Sequence, residues 1–271
     1  MQWDDLVVNL NARRLKPPLV VAHRGSNEFE PEHSLAAYLR AVQEGADAIE
    51  CDVRLTADGT LVCVHDRAIG RTSSGRGSVS ALRLHDLMHF DFSAPESESW
   101  QRNSSLDERR SVLTMRVLLA SMLEASSTLS FSIETKHPTR FGKYVEMTLV
   151  DELRHFGLLN SERVRMMSFS QMAVTRMHEL APKVPTVFLM NKIPKHRLSG
   201  ELPGSSEIAG ISIEALGLHP QYVSAVHARG GQVHVWTVNS AEQVELCISL
   251  GVDAIISDKP GMVRALVTPG A

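Results

Sequence analysis

Nine short apolar or β-branched runs, at 19–22, 48–53, 61–65, 129–136, 164–169, 185–190, 210–213, 232–237 and 254–257, alternate along the 271-residue chain with longer stretches of helical period. Helices are predicted over 34–44, 116–126, 143–156, 171–180, 220–228, 240–250 and 261–267. Two have clear ends: the first runs from Ser34 to the stop at Gly45, and that over 240–250 opens with Ser240 and Gln243 and stops at Gly251. Strands that alternate with helices imply a parallel sheet with helices outside it. About eight such units in about 250 residues fit an α/β fold of the (β/α)8 TIM barrel type.

Two stretches break the rhythm. Residues 67–111, after the strand that ends at His65, are rich in Ser, Arg, Glu and Gly, with Phe90, Phe92 and Trp100 scattered among them. They are too polar for core units and too long for an ordinary loop, and read as an insertion over the barrel mouth. Residues 191–206 carry two prolines and two glycines where a helix is due, and the pattern gives it little support.

Composition narrows the function. Hydrophobic residues at 43% and charged residues at 22% describe a globular chain, and exclude the disordered and fibrous classes. The charge sum, 28 − 31 = −3, has no basic concentration to attract nucleic acid or an anionic membrane. Residues 1–18 carry Asp4, Asp5 and one short apolar stretch, unlike a signal peptide, and no run approaches the roughly 20 apolar residues of a membrane span. Cys51, Cys63 and Cys247 lack metal or redox spacing and read as reduced core thiols. A cytoplasmic protein without a stable membrane anchor is expected; oligomeric state is left open.

In a parallel barrel the C-terminal strand ends display the chemistry. His23 and Arg24 end the first strand, and His65 ends another, followed by Asp66. In the run Ile49-Glu50-Cys51-Asp52-Val53 side chains alternate, so Glu50 and Asp52 share one face and Cys51 points to the other. Glu134 and Lys136 repeat that spacing on another strand. Three inward acids repel unless a cation offsets them, and an all-oxygen set favours Mg²⁺, Ca²⁺ or Mn²⁺. A divalent cation with Glu50, Asp52 and Glu134 sums to −1, and Arg24 with Lys136 brings the site to +1, which suits a singly charged phosphodiester. Two histidines at one mouth can divide acid and base roles. Taken singly, a strand-end histidine or a Glu–Lys pair is as often a structural contact, and an inward Trp236 as often core.

Their order resembles the glycerophosphodiester phosphodiesterases, from about Leu19 to Val267. The resemblance is carried by His23-Arg24-Gly25, Pro31-Glu32, Glu50-x-Asp52 after Gly45-Ala46-Asp47, Thr56-x-Asp58-Gly59, His65-Asp66, Arg71-Thr72 with Gly75-x-Gly77, Ile133-Glu134-x-Lys136, Trp236-Thr237-Val238-Asn239 and Asp258-x-Pro260 after Gly251-Val252-Asp253. It implies one catalytic barrel domain over 1–271 that cleaves glycerophosphodiesters to glycerol 3-phosphate and an alcohol. Glu50, Asp52 and Glu134 would bind the metal, His23 and His65 serve as acid and base in either order, Arg24 and Lys136 hold the phosphate, and Trp236 lie near the substrate. The nucleophile is water or a neighbouring substrate hydroxyl. Rivals are a phospholipase D or sphingomyelinase D-like barrel that releases a cyclic phosphate, and a non-catalytic phosphate-binding barrel. Two departures stand out: His33-Ser34 replaces the family's usual Asn-Thr, which could alter the loop after the first strand, and Ala254 replaces a usual glycine.

Overall fold

The computed structural model describes residues 17–93 and 111–267. Eight strands run parallel: β1 (Leu19–His23), β2 (Ala48–Leu55), β4 (Ser130–Thr135), β5 (Val164–Ser168), β6 (Thr186–Met190), β7 (Ile208–Ser212), β8 (Gln232–Trp236) and β9 (Ala254–Ser257). Because β1 pairs with both β2 and β9, the sheet closes on itself as a TIM barrel. Alternate residues of each strand turn inward, where Val21, Ala48, Met167, Val187, Leu189, Ile208, Ala254 and Ile256 pack together and plug the barrel. The outward residues form two larger clusters beneath the helices.

The helix ends follow the sequence signals. The hydroxyl of Ser34 accepts from the Ala37 N–H at 3.1 Å and starts Leu35–Gln43; Ser240 likewise starts Ala241–Leu250. Residues 191–206 contain only a 3-10 turn at Lys195–Arg197, as their prolines and glycines indicate. The helix expected over 220–228 covers Tyr222–His227, and a further short one, Ile213–Leu218, precedes it. Among the described residues no helix is long and apolar enough to cross a membrane.

The run at 61–65 departs from the expected rhythm. Its ordered part, β3 (Leu61–Cys63), returns antiparallel along β2 and is not a barrel strand. The cause is local: only residues 56–60 join the two strands, too few for a parallel crossover. Asp58-Gly59 forms the tight reversal, with Gly59 at φ 83°, a conformation that suits glycine. The hairpin throws the chain out of the barrel wall, and this is how the insertion begins. Residues 67–93 are also less uniformly polar in structure than in composition. Ile69, Val79 and Leu87 bury themselves with Val62, Val64 and Val112, and Leu82, Leu84, Phe90 and Phe92 pack around them. Trp100 lies outside the described residues, as does the N-terminal stretch before residue 17.

The turn after β1 is tightly determined. Arg24 and Gly25 both take positive φ, 55° and 90°, and a Cβ built on Gly25 would lie 2.5 Å from the Ala37 Cβ and 2.7 Å from the Ala37 carbonyl carbon. Gly25→Ala is therefore expected to cost about 2 kcal/mol or more, through strained φ and backbone overlap together. Urea denaturation checks it, and an unchanged midpoint would mean that the turn can relax.

Candidate active site

Strand register assembles the site before any side chain is considered. His23 lies opposite Glu50 across β1 and β2, and Asp52 lies opposite Glu134 across β2 and β4. Both pairs occupy the C-terminal end of the barrel. His65 follows β3, and Lys136 follows β4, on the same inward face as Glu134. A pocket of about 280 Å³ opens here, and His23, Arg24, Glu50, His65, Glu134 and Lys136 form its polar wall. The opposite wall is apolar, made by Met167, Phe169, Leu189, Trp236 and Ile256. Trp236 packs on Phe169 edge to face, with ring centroids 5.6 Å apart, so it is both core and lining.

Asp52 lies beneath the pocket, 1% exposed. It is nevertheless the hub of the polar wall: Arg24 Nε stands 3.1 Å from Oδ2, His33 Nε2 3.0 Å from Oδ2 and Lys136 Nζ 3.2 Å from Oδ1. Lys136 also reaches Glu134 Oε1 at 2.8 Å, and the Arg24 backbone N–H donates to Glu50 Oε2 at 3.0 Å. Burial alone would raise the Asp52 pKa, but the His33 hydrogen bond with the Lys136 and Arg24 charges outweighs it and holds the carboxyl well below its ordinary value. Its neighbours carry the cost. Burial, then the charge of Asp52, pushes Glu50 well above the usual carboxylate range and Glu134 up to about 8.

Carboxylate oxygens of Glu50, Asp52 and Glu134 lie within 4.8 Å of one another, and all three residues are buried. Two of them favour a proton when no cation is present, and hard oxygen donors at this spacing fit a hard divalent cation. The residues present thus match such an ion in donor type, number and charge.

Each histidine is anchored through Nδ1 to a carboxylate, but the two carboxylates differ. His23 meets Asp258 Oδ1 at 2.6 Å, and among the described residues the Asp258 carboxylate otherwise accepts only from amides, Asn27 Nδ2 at 2.8 Å and Asn239 Nδ2 at 2.6 Å. Burial opposes ionisation of Asp258, yet the His23 contact and these donors bring its pKa down to about 2. His65 meets Asp66 Oδ1 at 2.7 Å, while Arg71 Nε donates to Asp66 Oδ2 at 2.5 Å and balances that charge. Arg71 also grips Glu32 with two hydrogen bonds, at 2.8 and 2.7 Å, and Glu32 accepts from Arg24 at 3.3 Å. One arginine of the insertion thereby ties together the supports of His65 and Arg24.

The candidate site residues His23, Arg24, Glu50, His65, Glu134, Lys136 and Trp236 line this mouth, and Asp52 lies beneath it. The supports Asp258, Asn27, Asn239, Glu32 and Arg71 were not given roles from sequence. For Asp258 a signal existed: closure pairs the last strand with the first, which sets the residue after β9 beside the end of β1. From sequence, His33 reads as able to alter the loop after β1, while the hydroxyl of Ser34 reads as enough to start the following helix, and that helix begins at the Ser34 cap. The φ of 59° at His33 and its bond to Asp52 show that it supports the acid cluster instead.

A closed parallel barrel with buried acids, paired cations and two carboxylate-anchored histidines at its C-terminal mouth defines a TIM barrel with a charged pocket where such barrels carry their chemistry. The sequence pattern of the "Glycerophosphoryl diester phosphodiesterase family" matches residues 23–262. The "Probable glycerophosphodiester phosphodiesterase 1" of Mycobacterium tuberculosis strain H37Rv is 40% identical over 259 residues, covering 93% of each chain. A glycerophosphodiester phosphodiesterase of Caldanaerobacter subterraneus is 29% identical, over 93% of this chain and 98% of its own. In fold the chain is similar to an Oleispira antarctica phosphodiesterase solved with the product sn-glycerol-3-phosphate, with TM-score 0.78, 23% identity, and coverage of 92% of this chain and 96% of that one. An Agrobacterium tumefaciens glycerophosphodiester phosphodiesterase gives TM-score 0.74 at 24% identity over 92% and 99%. The chain belongs to the glycerophosphoryl diester phosphodiesterase family and is a phosphodiester hydrolase.

The raised acids make the metal-free protein sensitive to pH. The folded state holds a proton on Glu134 up to about pH 8, whereas an unfolded glutamate releases it near 4.5. Between these values the native state binds more protons, so stability falls as pH rises. Chelated protein should accordingly lose thermal stability from about pH 5 to 8, and added Mg²⁺ or Ca²⁺ should restore it most at the upper end. A stability that rises across this window, or no response to either cation, would contradict the charge balance.

Proposed function

We propose that the enzyme cleaves glycerophosphodiesters to glycerol 3-phosphate and an alcohol, with His65 as general base and His23 as general acid. The observation that carries this reading is the unequal support of two histidines lining one pocket with Arg24 and Lys136. Arg71 balances Asp66, and burial, the largest influence, lowers the pKa of His65, so it is neutral near pH 7 and can accept a proton at Nε2. Asp258 holds His23 through Nδ1, which leaves Nε2 to protonate the leaving alkoxide. The glycerol 3-phosphate bound by the Oleispira relative supports the choice of product.

In this mechanism Arg24 and Lys136 hold the non-bridging phosphoryl oxygens, and their charges offset what grows there as the diester reacts. Lys136 keeps its proton for this role: burial would lower its pKa, but Asp52 and Glu134 outweigh that and raise it. Glu50, Asp52 and Glu134 would hold one divalent cation, Mg²⁺, Ca²⁺ or Mn²⁺, which supplies Lewis-acid charge to the phosphoryl group. The apolar wall with Trp236 receives the carbon skeleton of the glycerol arm and keeps bulk water from it. The three cysteines are free and buried, as expected of a reducing compartment, and we place the enzyme in the cytoplasm.

The roles separate by leaving group. His23→Ala and His65→Ala should each lower kcat on glycerophosphocholine by roughly 10²–10⁴-fold. A diester with p-nitrophenol as leaving group needs no acid, so on it the His23 variant should recover most of its rate and the His65 variant should not. Rescue of the His65 variant instead would reverse the assignment, and near-normal turnover by either would remove that histidine from the mechanism. Excess chelator should abolish turnover, with recovery on adding a divalent cation; full activity in chelator would rule out the metal.

A further inference from the structure

A second pocket, of about 200 Å³, lies beside the first and shares Lys136 with it. Its walls come from the end of β2, the segment after β4 and the insertion, and its polar lining is Arg54, Arg67, Arg140, Lys136, Ser80 and Thr139. Among the described residues no carboxylate lines it. Lys136 is paired with Asp52 and Glu134, but Arg54, Arg67 and Arg140 make no ion pair among the described residues. Arg54 donates Nε and Nη2 to the backbone carbonyl of His65, at 3.0 and 2.7 Å, which fixes the guanidinium at the pocket wall. The acids that act on it, Asp52, Glu134 and Asp66, belong to the reaction pocket and its rim, and Arg67 opposes them as a neighbouring like charge. Three arginines gathered at a walled pocket whose described lining holds no carboxylate repel one another, and an incoming anion relieves that repulsion.

We infer that this pocket is a subsite for a negatively charged group on the alcohol arm of the substrate, a phosphomonoester or a carboxylate. The inference rests on the proposed reaction. With the reacting phosphate at Arg24 and Lys136, one arm of the diester lies against the apolar wall and suits uncharged glycerol. The other lies on the Lys136 side, next to the arginines. A cationic arm such as choline is repelled there, a neutral one gains little, and an anionic one makes charge-assisted hydrogen bonds. Because Arg67 and Ser80 belong to the insertion, the segment that leaves the barrel at the β2–β3 hairpin sets this selectivity.

The test compares glycerophosphoinositol, whose alcohol is neutral, with glycerophosphoinositol 4-phosphate. Wild-type kcat/KM should favour the phosphorylated diester by roughly tenfold or more, and Arg67→Gln or Arg140→Gln should shrink that ratio several-fold, through KM. Arg67→Lys should keep part of it, and 0.5 M salt should erase most of it. Both side chains are exposed, so their removal does not threaten the fold. A wild-type ratio near one, or a ratio unchanged in the Arg67→Gln/Arg140→Gln double variant, overturns the subsite, even if inorganic phosphate binds there. Failure to turn over either diester would overturn the reaction and leave the subsite to be decided by calorimetry with inositol 4-phosphate. Binding weakened roughly tenfold by the double variant supports it, and binding that is absent or unaffected overturns it.

Discussion

The mouth of this barrel is organised by the repulsion among Glu50, Asp52 and Glu134. Strand pairing leaves no freedom in the matter, because the register that closes the barrel also sets Asp52 beside Glu134 and places Glu50 two residues before Asp52 on the same face. Three ionised carboxylates that close and that deeply buried would be prohibitively unfavourable. The protein divides the problem: Asp52 keeps its charge because His33, Lys136 and Arg24 converge on it, and the other two surrender theirs when no cation is bound. In the proposed mechanism Arg24 and Lys136 also face the phosphodiester, and binding of a divalent ion by the acids would be coupled to binding of the anion, since each restores charge that the other requires.

Around that cluster, loops from opposite ends of the sequence act as one support. Asp258 follows the last strand and steadies His23 at the end of the first. Arg71, from a 3-10 turn of the insertion, joins Asp66 to Glu32 and so couples the loop after β3 to the loop after β1. The small apolar cluster under Ile69, Val79 and Leu87 explains how an otherwise polar segment can hold Arg71 in place. It supplies local burial, while the Arg71 contacts are partly exposed and individually weak.

The strand–helix alternation made the barrel legible in the sequence, and period-two spacing was enough to put Glu50 with Asp52 and Glu134 with Lys136 on inward faces. Periodicity carries only the direction of a side chain within its own element. The run at 61–65 therefore looked like another barrel strand; the length of the connection before it, not its own pattern, makes it a hairpin. Asp258 meets His23 and Asn27 across a closure between residues more than 200 positions apart, for which local pattern has no sign. The insertion misled in a different way: its apolar residues are sparse and irregularly spaced, because they pack on one another in turns and not along a periodic element.

His33 shows how such a site absorbs a change at its centre. The family commonly carries asparagine there, and a histidine next to a buried aspartate would seem to crowd the loop. Its positive φ turns the imidazole inward, where Nδ1 accepts from the Tyr38 hydroxyl at 2.8 Å and Nε2 donates to Asp52 at 3.0 Å. Both ring nitrogens are thereby satisfied inside the protein, which a fully buried imidazole requires. The neighbouring Ser34 retains the cap, so the helix after the loop starts where it would with threonine. The substitution is tolerated because it adds a hydrogen bond to the carboxylate that holds the cluster together without adding a fixed charge to it: burial, the largest influence on His33, lowers its pKa.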